Sequence, residues 1–182
     1  MFDLRPFFAY NRTMSVKKRV TILRILLTAL CLLVYAWIFS NSATVGAQSS
    51  AQSHSVTKTV QKIVGVFAPD SFIATAAGED FDRLHSAIRT LAHFCEFALL
   101  GALLTWCYAS YTRDKAFAFL PVALVVLTPI FDEAVQSFTG GRAAEVADLL
   151  VDTAGGLAGC VFALVTLWIG FAVSRRKKKK KV

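Results

Sequence analysis

The sequence predicts an all-α integral membrane protein, a four-helix transmembrane bundle with both termini in the cytoplasm. Hydrophobic residues make up 55% of the 182-residue chain, and its mean hydropathy of +0.55 is too high for an ordinary soluble domain. Four apolar stretches approach the roughly 20 residues that a helix needs to cross a bilayer. Basic residues are concentrated beside the ends of these stretches, which is typical of topology signals in membrane proteins.

The four apolar stretches are the predicted transmembrane helices. They lie at residues 20–39, 88–108, 116–131 and 149–173. The first contains Arg24 one turn from its start, where a long side chain can reach the headgroups while its stem stays in the membrane. An even number of crossings is consistent with both termini on the same side.

The third stretch is shorter than the others and contains Pro121 and Pro129. Proline removes a backbone donor, so it kinks or breaks a helix unless neighbouring groups compensate. We therefore expect either a thin crossing with a kinked or broken end, or a helix that continues through Asp132 and Glu133 toward Gln136. A kinked or broken helix end beside two carboxylates would be a candidate functional site.

Lysine and arginine are distributed unevenly along the chain. Of the 20 basic residues, seven lie at residues 175–181 and five precede Ile22. Arg113 and Lys115 lie in the short segment between the second and third stretches. Because basic residues in short flanking segments stay on the cytoplasmic side, all three segments are expected there.

The remaining connections, residues 40–87 and 132–148, are richer in acids than in bases and are expected outside. Residues 1–19 are then a basic cytoplasmic N-terminus, and residues 174–182 are a polybasic cytoplasmic tail that contacts anionic lipids. We expect no nucleic-acid partner, because no basic stripe with interleaved aromatic residues occurs elsewhere. A cleaved signal peptide is the alternative interpretation of the N-terminus, since small residues near Ala43 follow its apolar run.

The outer segment at residues 40–87 begins with a stretch rich in serine, alanine and glutamine, for which a flexible loop is the default expectation. Apolar residues then recur at helical spacing: Val56, Val60, Ile63, Val64 and Phe67. This pattern predicts a short helix that either lies in the membrane interface or caps the bundle.

Charged side chains inside a bilayer are costly, so their positions indicate where function lies. Arg89, His93 and Glu96 share one face of the second helix, at i, i+4 and i+7. Further polar residues follow at the same predicted depth: Asp132, Glu133, Gln136, Arg142, Asp148 and Asp152. Segments far apart in sequence are therefore expected to form one polar cluster, a candidate ligand site near the outer leaflet.

Two glycines continue the helix face that carries Asp148 and Asp152. Gly155 and Gly159 have the small-xxx-small spacing that lets another helix approach closely. We expect these glycines to serve helix packing and to bring both aspartates into the bundle interior.

The chemistry of the polar cluster is open to several interpretations. Arg89 and Arg142 could form purely structural ion pairs with the acids. The excess of carboxylates instead favours a proton carrier or a cation site, because close carboxylates repel one another unless a proton or a cation is held between them.

A metal ion is a weaker alternative. His93 and Glu96 share a helix face, and Asp132 or Glu133 could complete a site, but we expect no metal and no cofactor. The cysteines have no paired spacing and are expected to be small buried hydrophobes: Cys31, Cys95, Cys107 and Cys160. No serine-nucleophile or phosphate-cradling glycine motif identifies catalytic residues.

The residues of the polar cluster resemble the VanZ-like family of small bacterial membrane proteins, which is associated with teicoplanin resistance. Three stretches carry the likeness: Ile88-Arg89 with Ala92-His93-Phe94, Glu96 and Leu100-Gly101; Asp132-Glu133 with Gln136, Gly141-Arg142 and Asp148; and Asp152 with Gly155 and Gly159. Phe39-Ser40 is a weaker fourth match, whereas Thr90 and Phe97 depart from a common Lys and Tyr. The likeness places a VanZ-like membrane domain at residues 20–160, with the fourth helix running past it.

The resemblance implies a non-enzymatic role in the bacterial plasma membrane, through envelope properties or susceptibility to teicoplanin-type glycopeptides. An acid-rich pocket at the outer leaflet would meet a lipid-linked envelope precursor or a lipid-tailed glycopeptide. In this interpretation Asp132 and Glu133 contact the ligand, while Arg89 and Arg142 hold anionic groups or orient the acids.

Two alternative functions stay open. The first is an intramembrane enzyme on a lipid-linked envelope substrate, with Glu133 or His93 as general base and Arg142 steadying a phosphate. The second is a small proton-coupled transporter, which would need a homo-oligomer because four helices make a narrow bundle.

Overall fold

The computed structural model describes residues 5–44, 46–112, 118–139 and 146–179. This part of the chain forms six helices: α1 (Arg5–Ser42), α2 (Gly46–Phe67), α3 (Phe72–Thr75), α4 (Glu79–Tyr111), α5 (Leu120–Phe138) and α6 (Val146–Lys179). Four spans are long and apolar enough to cross a membrane: Val16–Ser42, Glu79–Tyr111, Leu120–Phe138 and Val146–Val173. The predicted all-α, four-helix transmembrane architecture is confirmed, and the side on which the termini lie stays a prediction.

Side-chain contacts show that α1 and α4 run antiparallel. Arg24, near one end of the α1 span, donates from Nε to the carbonyl oxygen of Ser110 near the end of α4, at 2.8 Å. Trp37, near the other end of α1, donates to Glu96 in the middle of α4, at 3.1 Å. Arg24 therefore satisfies a backbone acceptor that the end of α4 leaves open.

α4 and α6 run parallel and make the most extensive contact of the bundle. Gly155 lies against the backbone carbonyl of Phe94, and Gly159 lies against that of Ala98. A Cβ atom at either glycine would overlap the carbonyl oxygen of α4. The missing side chains let the two backbones touch, which is how small residues hold membrane helices together.

The α4–α6 contact continues on both sides of these glycines. Gly101 of α4 faces the backbone of Gly156, and Gly156 also meets Val125 of α5. Farther along, Trp106 donates from Nε1 to Thr166 Oγ1 of α6, at 3.0 Å. These contacts hold α4, α5 and α6 in one register.

The apolar core lies where α1 packs on α4. Ile38, Phe97 and Leu100 are at most 2% exposed, and Tyr35 packs against them. The Tyr35 hydroxyl also lies 3.2 Å from Thr128 Oγ1, which links α1 to α5. This core borders the polar cluster, because Phe97 follows Glu96 directly on α4.

α5 begins at Leu120 and continues to Phe138, so the continuation through the two acidic residues is confirmed and a broken end is wrong. Pro121 lies in the first turn, where a backbone N–H has no partner in the helix. Pro129 lies inside the helix and is fully buried. The helix therefore continues past Pro129 to Phe138, although proline removes one hydrogen bond of the helix.

The serine- and glutamine-rich stretch is helical from Gly46 onward, so the expectation of a flexible loop is wrong. The predicted short helix is confirmed and forms the second part of α2. Hydroxyl groups bond back along the helix, as from Ser53 to the Ser49 carbonyl at 2.7 Å. α2 packs against α3 and α4, Thr57 is fully buried, and Gln61 donates to two backbone carbonyls around α3. These tertiary contacts outweigh the weak local preference for helix.

All four cysteines are free, in agreement with the absence of paired spacing. Cys31 and Cys160 are buried and Cys107 is half-buried, but Cys95 is exposed. The expectation of burial is therefore wrong for Cys95, because its face of α4 is turned away from the other helices. It lies on the apolar surface that the spans present to lipid.

The two predicted basic ends are continuous with transmembrane helices. α1 already begins at Arg5, within the predicted N-terminal segment 1–19. α6 continues as helix to Lys179, within the predicted tail 174–182. Along α1 and along α6, the apolar span and the basic segment are therefore parts of one continuous helix.

Replacing Gly159 by Ala is expected to destabilise the protein, because the added Cβ atom would overlap the Ala98 carbonyl oxygen. Overpacking of this kind costs about 1–3 kcal/mol. Gly170→Ala is the matched control, since a Cβ atom there meets no atom within 4 Å and alanine favours helix. The measurement is thermal unfolding of each purified variant in one detergent, followed by circular dichroism. An unfolding midpoint of Gly159→Ala at or above that of Gly170→Ala would contradict the backbone contact.

Candidate functional site

A cavity of about 410 Å³ opens between α1, α2, α4 and α5, at the end of the bundle where α1 ends. Its walls combine apolar and polar side chains: Trp37, Ile38, Asn41, Ser42, Ser49, Gln52, Ser53, Val56, Ile88, Arg89, Ala92, His93, Glu96, Phe97, Asp132 and Gln136. Five of the predicted cluster residues are among them: Arg89, His93, Glu96, Asp132 and Gln136. The cavity therefore gathers residues that are distant in sequence at one level of the bundle.

Asp132 is the most deeply buried acid of the cavity wall, at 1% exposure. The Ser42 hydroxyl donates to Oδ1, and the Gln136 amide donates to Oδ2 at 2.7 Å. Thr139 also donates to the Ser42 carbonyl at 3.2 Å, so the ends of α1 and α5 are joined. The carboxylate is thus held in place by neutral donors.

His93 and Asp152 form a buried acid–base pair between α4 and α6. His93 Nδ1 lies 3.5 Å from Asp152 Oδ1, and Asp152 is only 2% exposed. The distance suits an ion pair, but the alignment makes no hydrogen bond, and both atoms lack a hydrogen-bond partner among the described residues. Buried polar atoms are normally paired, so this hydrogen-bonding capacity is available for a bound group or for proton transfer.

Arg89 and Asp148 form an ion pair at the rim of the cavity. Arg89 Nη2 lies 3.2 Å from Asp148 Oδ2, with the two side chains 42% and 21% exposed. Exposed pairs of this kind stabilise a protein by about 0–1 kcal/mol. The pair orients the arginine over the cavity, and the structural ion-pair interpretation fits it best.

Glu96 joins the cavity to the outer surface of the bundle. The Trp37 indole donates to Glu96 Oε1 at 3.1 Å, and Trp37 is 60% exposed on the lipid-facing side of α1. Both residues line the cavity. One wall of the cavity is therefore a tryptophan ring that also faces the membrane.

The remaining predicted residues lie behind the cavity wall or beyond the described chain. Asp148 and Asp152 contact the cavity residues Arg89 and His93 from α6. Glu133 is half-buried on α5 and does not line the cavity. Arg142 lies outside the described residues, so the structure gives no position for it.

Seven polar or aromatic residues of the cavity were not predicted as site residues from the sequence: Trp37, Asn41, Ser42, Ser49, Gln52, Ser53 and Phe97. On α2, the residues Ser49, Gln52, Ser53 and Val56 have i, i+3, i+4 and i+7 spacing, so a helical pattern was present in the segment taken for a loop. The end of α1 carried no comparable signal, because Ser42 acquires its role only when it meets Asp132.

The lining suits recognition of a polar group by hydrogen bonds and charge, with apolar surface beside it. Side chains that carry carboxylate, amide and hydroxyl groups line the cavity together with Trp37, Ile38 and Phe97. Among the residues that the structure describes, no three His, Cys, Asp or Glu side chains are grouped to hold a metal ion.

Fold and cavity together define a multi-pass helical membrane protein with a polar site at one end of its bundle. The chain belongs to the VanZ/LLP1 family, whose model matches residues 26–169. The predicted VanZ-like resemblance is thereby confirmed, and the match extends beyond residues 39–159 at both ends. No curated protein and no solved structure matches the chain.

Replacing Ser42 by Ala is expected to lower the free energy of unfolding, because a buried acceptor on Asp132 loses its donor. An unsatisfied buried group costs about 1–3 kcal/mol. Ser137→Ala is the matched control, since the exposed Ser137 hydroxyl bonds only a carbonyl of its own helix. Thermal unfolding in detergent compares the two variants with the wild type. Equal midpoints for all three proteins would show that the α1–α5 hydrogen bond contributes little.

Proposed function

We propose that this chain binds the polar end of an amphiphile in the cavity and thereby influences envelope properties or susceptibility to teicoplanin-type glycopeptides. Membership of the VanZ/LLP1 family supports a VanZ-like membrane protein. The observation that carries the finer proposal is the cavity itself. It has polar groups at one end of a membrane bundle and a tryptophan wall that faces lipid.

The charge distribution supports an outward-facing cavity in the bacterial plasma membrane. Lys17, Lys18 and Arg19 lie at the start of the α1 span, and basic residues also follow α4 and the α6 span. These ends belong in the cytoplasm by the positive-inside rule. The cavity lies at the opposite end, where Ser42 meets Asp132.

A bundle end at the leaflet boundary suits an amphiphile better than a fully soluble ligand. The headgroup would occupy the polar cavity while the hydrocarbon chain stays in lipid beside the exposed Trp37. Teicoplanin-type glycopeptides carry a lipid tail, and lipid-linked envelope precursors have the same amphipathic character. Both would approach the cavity from the membrane side.

The contacts suggest how the site residues share this role. Asp132 is the proposed ligand contact, because it lines the cavity in a fixed position. Arg89, held by Asp148, is the proposed rim residue that orients the acids or holds an anionic group. Glu133, which does not line the cavity, stays a proposed member of the cluster, as does Arg142.

The polybasic end of α6 is proposed to contact anionic lipid on the cytoplasmic side. α6 is helical to Lys179, beyond the end of its apolar span at Val173. Clustered lysines immediately after a transmembrane helix attract anionic headgroups. This contact would anchor the helix that carries Asp148 and Asp152.

In a teicoplanin-sensitive bacterial host, the wild-type chain is expected to raise the minimum inhibitory concentration of teicoplanin several-fold and to leave that of vancomycin unchanged. Asp132→Asn removes the cavity carboxylate with almost no change of shape and should abolish the effect. Asp70→Asn is the control, because Asp70 is exposed after α2 and does not line the cavity.

Membrane abundance of the three proteins is compared by blotting, so that loss of protein is not mistaken for loss of function. Growth inhibition of all strains at the concentration that inhibits the empty host would eliminate the resistance role. Retained tolerance in Asp132→Asn at equal abundance would show that this carboxylate does not contact the ligand.

A second candidate, an intramembrane enzyme on a lipid-linked substrate, is favoured by the His93–Asp152 pair. A carboxylate that orients an imidazole beside a cavity is a recurring arrangement for a general base. His93 Nδ1 lies 3.5 Å from Asp152 Oδ1, and a proton on Nδ1 would leave the opposite ring nitrogen to accept a proton from a bound group.

If His93 is a general base, the purified protein in vesicles should convert a lipid-linked envelope precursor into a product detected by mass spectrometry. His93→Gln should abolish the product, and Asp70→Asn should retain it. No product from the wild type, under conditions where the protein is folded, would exclude turnover of that precursor.

A further inference from the structure

The charges around the cavity are unevenly compensated. Two carboxylates, Glu96 and Asp132, line the cavity. Their hydrogen-bond donors in the described structure are all neutral: the Trp37 indole, the Ser42 hydroxyl and the Gln136 amide. Arg89 also lines the cavity, but its charge is already opposed by Asp148 at 3.2 Å.

A third carboxylate lies directly behind the cavity wall. Asp152 is only 2% exposed, and its Oδ1 atom makes no hydrogen bond among the described residues. It faces the cavity residue His93 at 3.5 Å. Buried carboxylates are costly unless opposite charge offsets them, and a protonated His93 offsets only one of these three, so this end of the bundle favours a further cation.

We propose that the cavity binds the primary ammonium group of an amphiphile. This inference rests on the proposed function and specifies the headgroup of its ligand. Glu96 and Asp132 supply the opposite charge, and the Trp37 indole, whose N–H donates to Glu96, lines the same cavity.

The neutral polar lining explains why the cation should be a primary ammonium. A primary ammonium donates three hydrogen bonds, whereas a quaternary ammonium donates none. Asn41, Gln52 and Ser53, whose side chains carry oxygen acceptors, line the cavity together with the two carboxylates. A trimethylated headgroup would donate no hydrogen bond to these acceptors, at a cost in affinity.

The position of Trp37 explains why the ligand should be an amphiphile. Trp37 is 60% exposed on α1, and Ile38, Val56 and Ile88 add apolar surface to the cavity. An ammonium group bound at Glu96 therefore has its hydrocarbon chain directed along a wall that continues into the lipid-facing surface. A cavity of about 410 Å³ holds the headgroup and its first methylene groups and leaves the rest of the chain in the membrane.

Fluorescence of Trp37 provides a direct test. The chain has three tryptophans, so Trp106→Phe with Trp168→Phe leaves Trp37 as the only reporter. In phosphatidylcholine nanodiscs at pH 7, dodecylammonium should change this fluorescence in a saturable way. Dodecyltrimethylammonium should bind about tenfold more weakly, the factor expected when hydrogen bonds to a charged group are lost. Dodecanoate should produce only the linear, non-saturating change in fluorescence that accompanies its partition into lipid.

Glu96→Gln keeps an acceptor for the Trp37 indole but removes the charge, and it should weaken dodecylammonium binding at least about tenfold. Glu79→Gln makes the same change on the same helix at an exposed position outside the cavity, and it should bind as the parent does. A second measurement avoids the tryptophan substitutions. Dodecylammonium should raise the unfolding midpoint of the otherwise wild-type chain in a saturable way, and Glu96→Gln should lose this shift.

The ammonium group could belong to a membrane phospholipid or to an amphiphile that arrives from outside. Nanodiscs that contain phosphatidylethanolamine distinguish these sources. Weaker apparent binding of dodecylammonium in them identifies the lipid as a competing occupant, and unchanged binding identifies an added amphiphile as the preferred ligand. Both results support the ammonium site.

Equal affinity for the trimethylated probe, stronger binding of dodecanoate, or no effect of Glu96→Gln would overturn the inference. If any of these three results is found but Asp132→Asn still abolishes teicoplanin tolerance, the cavity binds an amphiphile with another headgroup. If dodecylammonium binds as expected but no strain gains tolerance, the ammonium site stands and the resistance role fails.

Discussion

The contact between the backbones of α4 and α6 is the constraint on which the polar end of the bundle depends. Helices in lipid gain little from hiding apolar surface from each other, so close packing must come from small residues. Gly155 meets the carbonyl of Phe94, and this contact brings the preceding turn of α6 level with His93. Asp152 then lies 3.5 Å from the imidazole. A larger residue at Gly155 would separate the helices and expose a buried acid without its partner.

Polar contacts then connect the remaining helices at the same level. Ser42 joins α1 to Asp132 of α5, and Trp37 joins α1 to Glu96 of α4. Such bonds in a medium of low dielectric are specific, because an unpaired polar group there is costly. The residues that define the cavity therefore also determine how α1 sits on the bundle. The same side chains thus line the cavity and join the helices.

α2 changes the character of this polar end from an exposed surface to a cavity. Its first half contributes Ser49, Gln52 and Ser53, which lie across from the residues of α4 and α5. The helix is held by burial of Thr57 and by Gln61, which bonds the turn around α3. α2 therefore forms part of the wall of the cavity that Glu96 and Asp132 line.

The sequence by itself determined the four spans, their apolar character and the polar residues that share a helix face, because period and composition are local properties. It located the apolar spans of α4 and α6, but it did not predict that α4 begins at Glu79 and not at residue 88. It also predicted that Arg89, His93 and Asp152 belong to one polar cluster. It could not separate Asp132 from Glu133, since adjacent acids look alike in sequence. Successive helix residues point about 100° apart, so Asp132 and Glu133 face different directions. Only the packing of the neighbouring helices decides that Asp132 lines the cavity and Glu133 does not. Ser42, Trp37 and the polar face of α2 became site residues for the same reason.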